Sequence, residues 1–271
     1  MIYIKTKLDN RSKYLRKIIV DCLSIERRGH IGSSMSIVEI LRVLYDDILK
    51  FNSKKINLHD RDRFILSKGH GCLALYSILF DKGFLNKKQL MDIGSIKSIL
   101  GGHPEHTIPG VEVSTGALGH GYPFAVGMAI AAKIKKKKHK IYVLLGDGEI
   151  NEGSIWESAL GASKHKLDNL ITLIDYNKLQ SYGLVKEIFN LEPLKDKWKS
   201  FGFNVLEVDG HNITKIKKMI KKTSIVKNKP TVIICHTIKG KGLGFAEGKS
   251  NWHHKSSITN DEIKMMYNEL K

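Results

Sequence analysis

Four short apolar runs, "IYVLL" (141–145), "LITLID" (170–175), "NVLEV" (204–208) and "TVIICH" (231–236), alternate with segments of helical character near 152–165 and 212–225. Strand, helix, strand at this spacing constrains the chain to an α/β fold: a doubly wound parallel sheet with helices on both faces. The distance from Ile141 to Leu170, 29 residues, suits one such unit. Nearer the N-terminus the period changes to that of amphipathic helices. Leu15, Ile18, Ile19 and Cys22 share one face, and Ile37, Ile40, Leu41, Leu44 and Ile48 predict a second helix. A third is expected from Leu73 to Phe80. No internal repeat, Pro-rich linker or low-complexity segment divides the sequence, so residues 1–271 read as one domain.

The formal net charge of +18 raises the question of nucleic acid. Only seven of the 45 basic residues are Arg, and the lysines are scattered. The one dense run, "KIKKKKHK" (133–140), lies between an apolar helix-like stretch and a strand, where Lys suits a helix C-terminus. It carries no interleaved aromatics to stack on bases. No nucleic-acid partner is expected. The longest apolar or small stretch, Ala125 to Ala132, is too short to span a bilayer, so no membrane role is expected either. "MIYIKTKLDN" lacks the apolar core of a secretory signal, which points to a cytoplasmic protein. Cys22, Cys72 and Cys235 have no metal or redox spacing and fit packed thiols in a reducing compartment.

Against this basic background, "LLGDGEINEG" (144–153) collects Asp147, Glu149 and Glu152 directly after a strand. Ligands of open parallel sheets bind at the carboxyl ends of strands. Gly146 and Gly148 allow close backbone approach there, but Asp147 would repel a phosphate unless a cation lay between them. The next run ends in "LIDYNKLQ", bringing Asp175 and Asn177 to the same edge. Asp147, Asn177 and a carbonyl from the following turn make a sparse oxygen site, which suits Mg²⁺ completed by phosphate and water. Glu149 has a simpler reading as an acidic residue at a helix start.

Four of the twelve histidines have distinctive surroundings: "RGHIGSSMS" (His30), "LSKGHG" (His70), "GGHPEHTIPG" (His103) and "NWHHKS" (His253). Three are flanked by glycine, as imidazoles on exposed turns beside a ligand would be. An imidazole with a pKa of about 6.5 can take a hydroxyl proton and hydrogen-bond a developing alkoxide.

The stretch "GDGEINEGSIWESALGASKHKLDNLITLIDYNKLQ" closely resembles the thiamine diphosphate motif of transketolases, and the histidine segments match that family in order and spacing. The resemblance implies thiamine diphosphate with Mg²⁺ (or Ca²⁺ or Mn²⁺ in its place), the metal held by Asp147, Asn177 and the carbonyl of Leu179. It implies that His70 and His253 contact the diphosphate and face the thiazolium, and that His30 and His103 meet sugar hydroxyls. Main-chain groups of Gly116 and Leu118, in "EVSTGALGHG" (112–121), would hold pyrimidine and diphosphate beside Gly146, Gly148 and Glu149. Glu152 would lie at a subunit interface and link paired active sites.

The resemblance runs from about residue 10 to the C-terminus and covers only the first, diphosphate-binding domain of a full-length transketolase. The implied protein is therefore the N-terminal subunit of a split enzyme, in an αββα-like heterotetramer with a C-terminal subunit carrying the pyrimidine-binding domain. It would move a two-carbon ketol unit between sugars or sugar phosphates. The alpha subunit of a 2-oxo acid dehydrogenase shares the metal loop but not the histidine set. A non-catalytic cofactor-binding paralogue would not need that set. Ser33, Ser34, Tyr122, Pro123 and His254 depart from residues common in the family; His254 stands where glycine is frequent. These departures leave open a specialised sugar-biosynthetic transketolase instead of one of the pentose phosphate pathway.

Overall fold

The computed structural model describes residues 6–271. The N-terminal decapeptide behind the cytoplasmic reading begins with Met1 to Lys5, which lie outside the described residues. Five parallel strands form one sheet in the order β1-β2-β3-β5-β4: β1 Arg63–Leu66, β2 Ile141–Gly146, β3 Leu170–Tyr176, β4 Asn204–Asp209 and β5 Thr231–His236. The four strands expected from the apolar runs are all present. β1 was not anticipated, because "RFIL" is four residues long, opens on Arg and occupies a sheet edge.

Each inner strand is buried on both faces, and its residues alternate between two cores as the pleat requires. On β2, Tyr142 and Leu144 join the core that includes the helices Asn10–Glu26, Cys72–Asp81 and Asn260–Glu269. Ile141, Val143 and Leu145 join the opposite core, against the helices Gly121–Ile134 and Gly153–Lys164. Tyr122 packs wholly inside this second core, its ring edge-on to Trp198. That makes its departure from the family pattern a matter of packing.

The helix expected from Ile37 to Ile48 is present: Val38–Val43 is α-helical and runs without interruption into a wider, π-type turn at Leu44–Ile48. A separate short helix, Ile31–Met35, precedes it and was not anticipated. Between the two helices Ile37 caps the second (φ −107°, ψ 3°), and the Ser36 hydroxyl donates to Asp175 Oδ2 at 2.7 Å. The lysine run behaves as expected: the helix ends at Ile134, and Lys136 turns through φ +51° before β2 begins. All three cysteines are buried free thiols. Among the described residues no helix is long and apolar enough to cross a membrane.

Candidate active site

The carboxyl ends of β1, β2, β3 and β5 deliver the chemistry-bearing residues to one side of the sheet. β1 runs into Ser67, Lys68 and the turn Gly69–Gly71; β2 runs into Asp147 and the turn Gly148–Asn151. β3 ends beside Asn177, where Lys178 adopts φ +67° and reverses the chain. β5 leads to Thr237 and Lys239. "KGHG" lies directly on the "STGAL" loop, since a methyl at Gly69 would fall 2.7 Å from the Gly116 nitrogen. Gly116 itself sits at φ +149° with the His103 ring against it, a conformation and a contact that exclude any side chain.

Asp147 is fully buried. Its Oδ1 accepts from Gly148 N at 2.8 Å and its Oδ2 from Lys178 N at 2.5 Å, which ties the end of β2 to the turn after β3. Asn177 Oδ1 accepts from Leu179 N at 3.1 Å, and its amide donates to Asp175 Oδ2 at 3.0 Å. Burial, and then the charge of Asp175, raise the Asp147 carboxyl above the usual carboxylate range. The Leu179 carbonyl accepts from the Lys239 ammonium at 2.6 Å. A buried carboxylate held off its ordinary pKa, and a carbonyl already engaged by a positive charge, form a donor set that fits a hard cation. The set has one carboxylate, one carboxamide and one carbonyl. No group of three or more His, Cys, Asp or Glu that could hold a metal occurs among the described residues. An all-oxygen set of this kind leaves positions for ligand oxygens and water around a hard cation.

Two buried lysines face this set. Lys68 bonds Asp175 Oδ2 at 2.5 Å and the Ser33 carbonyl at 3.1 Å. Lys239 lies 3% exposed, and burial together with the charge of Lys68 lowers its ammonium below the ordinary range. Asp175 also accepts from Thr237 and Ser36, so one carboxylate fixes four elements beneath the site. Its own pKa is lowered: burial opposes ionisation, and the charge and hydrogen bond of Lys68 outweigh it.

Glu149 is 1% exposed and turns inward. It accepts from Ser67 Oγ at 2.5 Å, Gly119 N at 3.1 Å and Gly146 N at 3.0 Å. Beyond starting a helical turn, it binds three loops of the site together. Glu152 is exposed at the N-cap of the helix Gly153–Lys164.

The imidazoles gather around His30. Its ring centroid lies 5.6 Å from His70, 5.8 Å from His103, 5.5 Å from His253 and 4.6 Å from His254. His70 and His253 stack at 5.6 Å. Burial, followed by the charges of neighbouring imidazoles and of Lys68 and Lys239, pushes His30 down to about 4. Burial and the charge of Lys239 push His253 down to about 3. His70 is lowered well below the ordinary value, and His103 is lowered too, both by burial first. At neutral pH these rings are uncharged, each with a nitrogen lone pair that can accept a hydrogen bond.

All of the residues that the family resemblance places in the site, except Glu152, line one cavity of about 330 Å³, from His30 and His70 across to Asp147, Asn177 and Leu179. Lys68 and Lys239 line it too and were not anticipated. The sequence carries a trace of them in "SKGHG" and "TIKGKG", where a lysine stands beside glycine at a strand end. Among the remaining histidines, His211 belongs to a buried network with Glu39 and Arg16, as a structural residue would.

Residues 9–271 match the family model described as the thiamine diphosphate binding domain of transketolase. The chain belongs to the transketolase family. Similar relatives include two proteins named as subunits of apulose-4-phosphate transketolase. The one from Phocaeicola vulgatus is 44% identical over 91% of this chain and 88% of its own length. The one from Actinobacillus succinogenes is 45% identical over 98% and 96%. The transketolase structure from Campylobacter jejuni superposes with a TM-score of 0.91 at 35% identity, over 96% of this chain and 42% of that one. The chain thus spans nearly the whole of these two relatives and about two fifths of the solved transketolase. The match to this family, with the histidine set in place, sets aside the 2-oxo acid dehydrogenase reading.

Proposed function

We propose that the chain is the cofactor-binding subunit of a two-subunit transketolase that moves a two-carbon ketol unit from a ketose phosphate to an aldose. The observation that carries this is the convergence of four uncharged imidazoles on the cavity that also holds the Asp147, Asn177 and Leu179 oxygens. Bound thiamine diphosphate supplies the electron sink for carbon–carbon cleavage. Asp147, Asn177 and the Leu179 carbonyl hold Mg²⁺ against its diphosphate. Lys68 and Lys239 add positive charge, while main-chain groups of Gly116, Leu118, Gly146 and Gly148 allow the ligand to approach. His70 and His253 flank the reacting centre. His30 and His103 take or return a sugar hydroxyl proton, for which their lowered pKa values leave the rings free of charge.

The names of the two apulose-4-phosphate transketolase relatives, each itself one subunit, support a separate C-terminal chain that carries the pyrimidine-binding domain, in an αββα-like heterotetramer. This chain supplies its diphosphate-binding domain, residues 1–271. Exposed Glu152 belongs at that interface, as a link between paired sites. Those relatives also favour a specialised phosphorylated sugar over the pentose phosphate pathway, and we place the reaction in the cytoplasm. The test is an assay of the chain alone and with its C-terminal partner, using thiamine diphosphate, Mg²⁺, ketose phosphate donors and aldose acceptors. Turnover is expected only with both chains. Robust turnover by this chain alone overturns the split reading, and none in the complex overturns the activity.

A further inference from the structure

His253 and its neighbours are stitched to the segment before His30. Gly29 N donates to Lys255 O at 2.9 Å, Lys255 N donates to Gly29 O at 3.0 Å, and Ile258 N donates to Arg27 O at 2.8 Å. The bridge is antiparallel, Gly29 opposite Lys255. Its register therefore sets His30 opposite His254 and Arg28 opposite Ser256, all four on one face by the period of two. That face walls a second cavity of about 270 Å³, which also contains His103 and Glu26 and meets the cofactor cavity across His30 and His103. Glu26, 8% exposed at its side chain, lies 3.5 Å from Arg28 Nε and offsets its charge, so the pair leaves no net charge there to select an anion. The rest of the wall is mixed: Cys72 and Leu73 give it an apolar side, and the imidazoles of His30, His103 and His254, the Ser256 hydroxyl and the Arg28 N–H groups give it donors and acceptors. These are the interspersed donors and acceptors that a polyhydroxylated chain requires.

We propose that this second cavity is a sugar subsite, and that His254 is a specificity-determining residue that hydrogen-bonds the hydroxylated tail of the ketose beyond its reacting carbonyl. The inference rests on the ketol-transfer reading. It assigns to this chain a share in substrate choice that does not depend on the partner subunit. His254 lines the second cavity 4.6 Å from His30, which also lines the cofactor cavity, so a sugar reaching from one cavity into the other comes within reach of it.

The experiment compares two donors in the assembled complex with thiamine diphosphate and Mg²⁺: a ketose phosphate, and β-hydroxypyruvate, a ketol donor without a hydroxylated tail. His254→Gly is expected to lower the ratio of their kcat/KM values about 3- to 10-fold, the worth of one hydrogen bond, through the KM of the ketose. His254→Asn, which keeps a donor and an acceptor, restores part of the ratio. Ser256→Ala moves it in the same direction and serves if the glycine variant fails to fold. An unchanged ratio, or a parallel fall for both donors, overturns the subsite. If the unsubstituted complex turns over neither donor, the function proposed above is what fails, and this inference falls with it.

Discussion

The ammonium of Lys239 rests on the main-chain carbonyl of Leu179, with Nζ 2.6 Å from the oxygen. That carbonyl belongs to the oxygen set assigned to the metal, so the lysine holds a position a cation must take. A bound cation at that carbonyl would take the place of the ammonium, which could then serve as a positive charge for a diphosphate. Lys239→Met removes one charge-assisted hydrogen bond from the loaded site. Such bonds contribute about 1.5–3 kcal/mol, so thiamine diphosphate affinity in Mg²⁺ is expected to fall at least about 10-fold by calorimetry. An unchanged affinity would mean that Lys239 only fills space.

Asp147 contributes the one carboxylate of the proposed metal set, while its oxygens also brace Gly148 N and Lys178 N. Asp147→Asn keeps the size and one acceptor but loses the charge. The expected result is loss of Mg²⁺-dependent thiamine diphosphate binding, with the thermal midpoint of the cofactor-free chain falling only a few degrees. Retained Mg²⁺ dependence in this variant would reject Asp147 as a ligand.

The sheet was legible because both faces of β2, β3 and β5 are buried, which makes them continuous apolar runs bounded by polar turns. The site was legible because residues with specific chemistry sit within a few positions of those strand ends. The partners that contact across the fold were not. Asp175 joins Lys68, Ser36 and Thr237, which are separated from it by 107, 139 and 62 positions. Nothing in local pattern or spacing pairs them. The same carboxylate holds Ser36, at the junction between the short helix Ile31–Met35 and the helix that starts at Val38. Glu149 read as a helix-start residue because its position fits one, and only the fold shows its carboxylate turned inward.

Glu149 offers a test of how the loops are held. Its Oε1 accepts from Ser67 and Gly119, and its Oε2 accepts from Gly146. In Glu149→Gln the new amide nitrogen meets a backbone N–H, two donors face to face in a buried site. Leaving such a group unsatisfied costs about 1–3 kcal/mol, which a urea denaturation curve at pH 7 resolves. The "STGAL" loop then loses its anchor, and weaker cofactor binding should accompany the loss. Stability equal to that of the unsubstituted chain would show that the three bonds are dispensable.

The imidazole cluster sets a pH dependence that can be read ring by ring. His30 is lowered to about 4 and His253 to about 3 by burial first. In the unfolded chain both titrate near the ordinary 6.5. As pH falls below that value the unfolded state binds protons that the folded state refuses, so stability declines from about pH 6.5 downward and levels off only below the folded values. Proton NMR of the cofactor-free chain should place both midpoints well under 5. A midpoint near 6.5 for either ring would show that the cluster is open to water.

Arg16 and Glu39 carry a second acid-sensitive contribution, this one from a buried carboxylate outside the imidazole cluster. Arg16 Nη1 meets Glu39 Oε1 at 2.5 Å and Nη2 meets Oε2 at 2.9 Å, with both side chains essentially inaccessible. Ile238 N donates to His211 Nε2 at 2.9 Å, which leaves the ring proton on Nδ1 to donate to Glu39 at 2.7 Å. Burial alone would raise the Glu39 carboxyl, but the charge and hydrogen bond of Arg16, then His211, hold it far below the ordinary 4.5. Its folded pKa is depressed, so its contribution is complete above about pH 4.5 and is lost as pH falls toward the folded value. Glu39→Gln leaves a buried guanidinium without its counter-charge and should cost about 3–5 kcal/mol at pH 7. It should also flatten the acid limb of the stability curve below pH 4.5. The double substitution Arg16→Met, Glu39→Leu removes both charges and should recover much of that loss, because desolvation of the pair offsets most of its attraction. Denaturant titrations of the parent and the two variants at pH 7 and pH 4 separate these outcomes. A Glu39→Gln variant as stable as the parent at both values would show that the pair is solvated and contributes nothing.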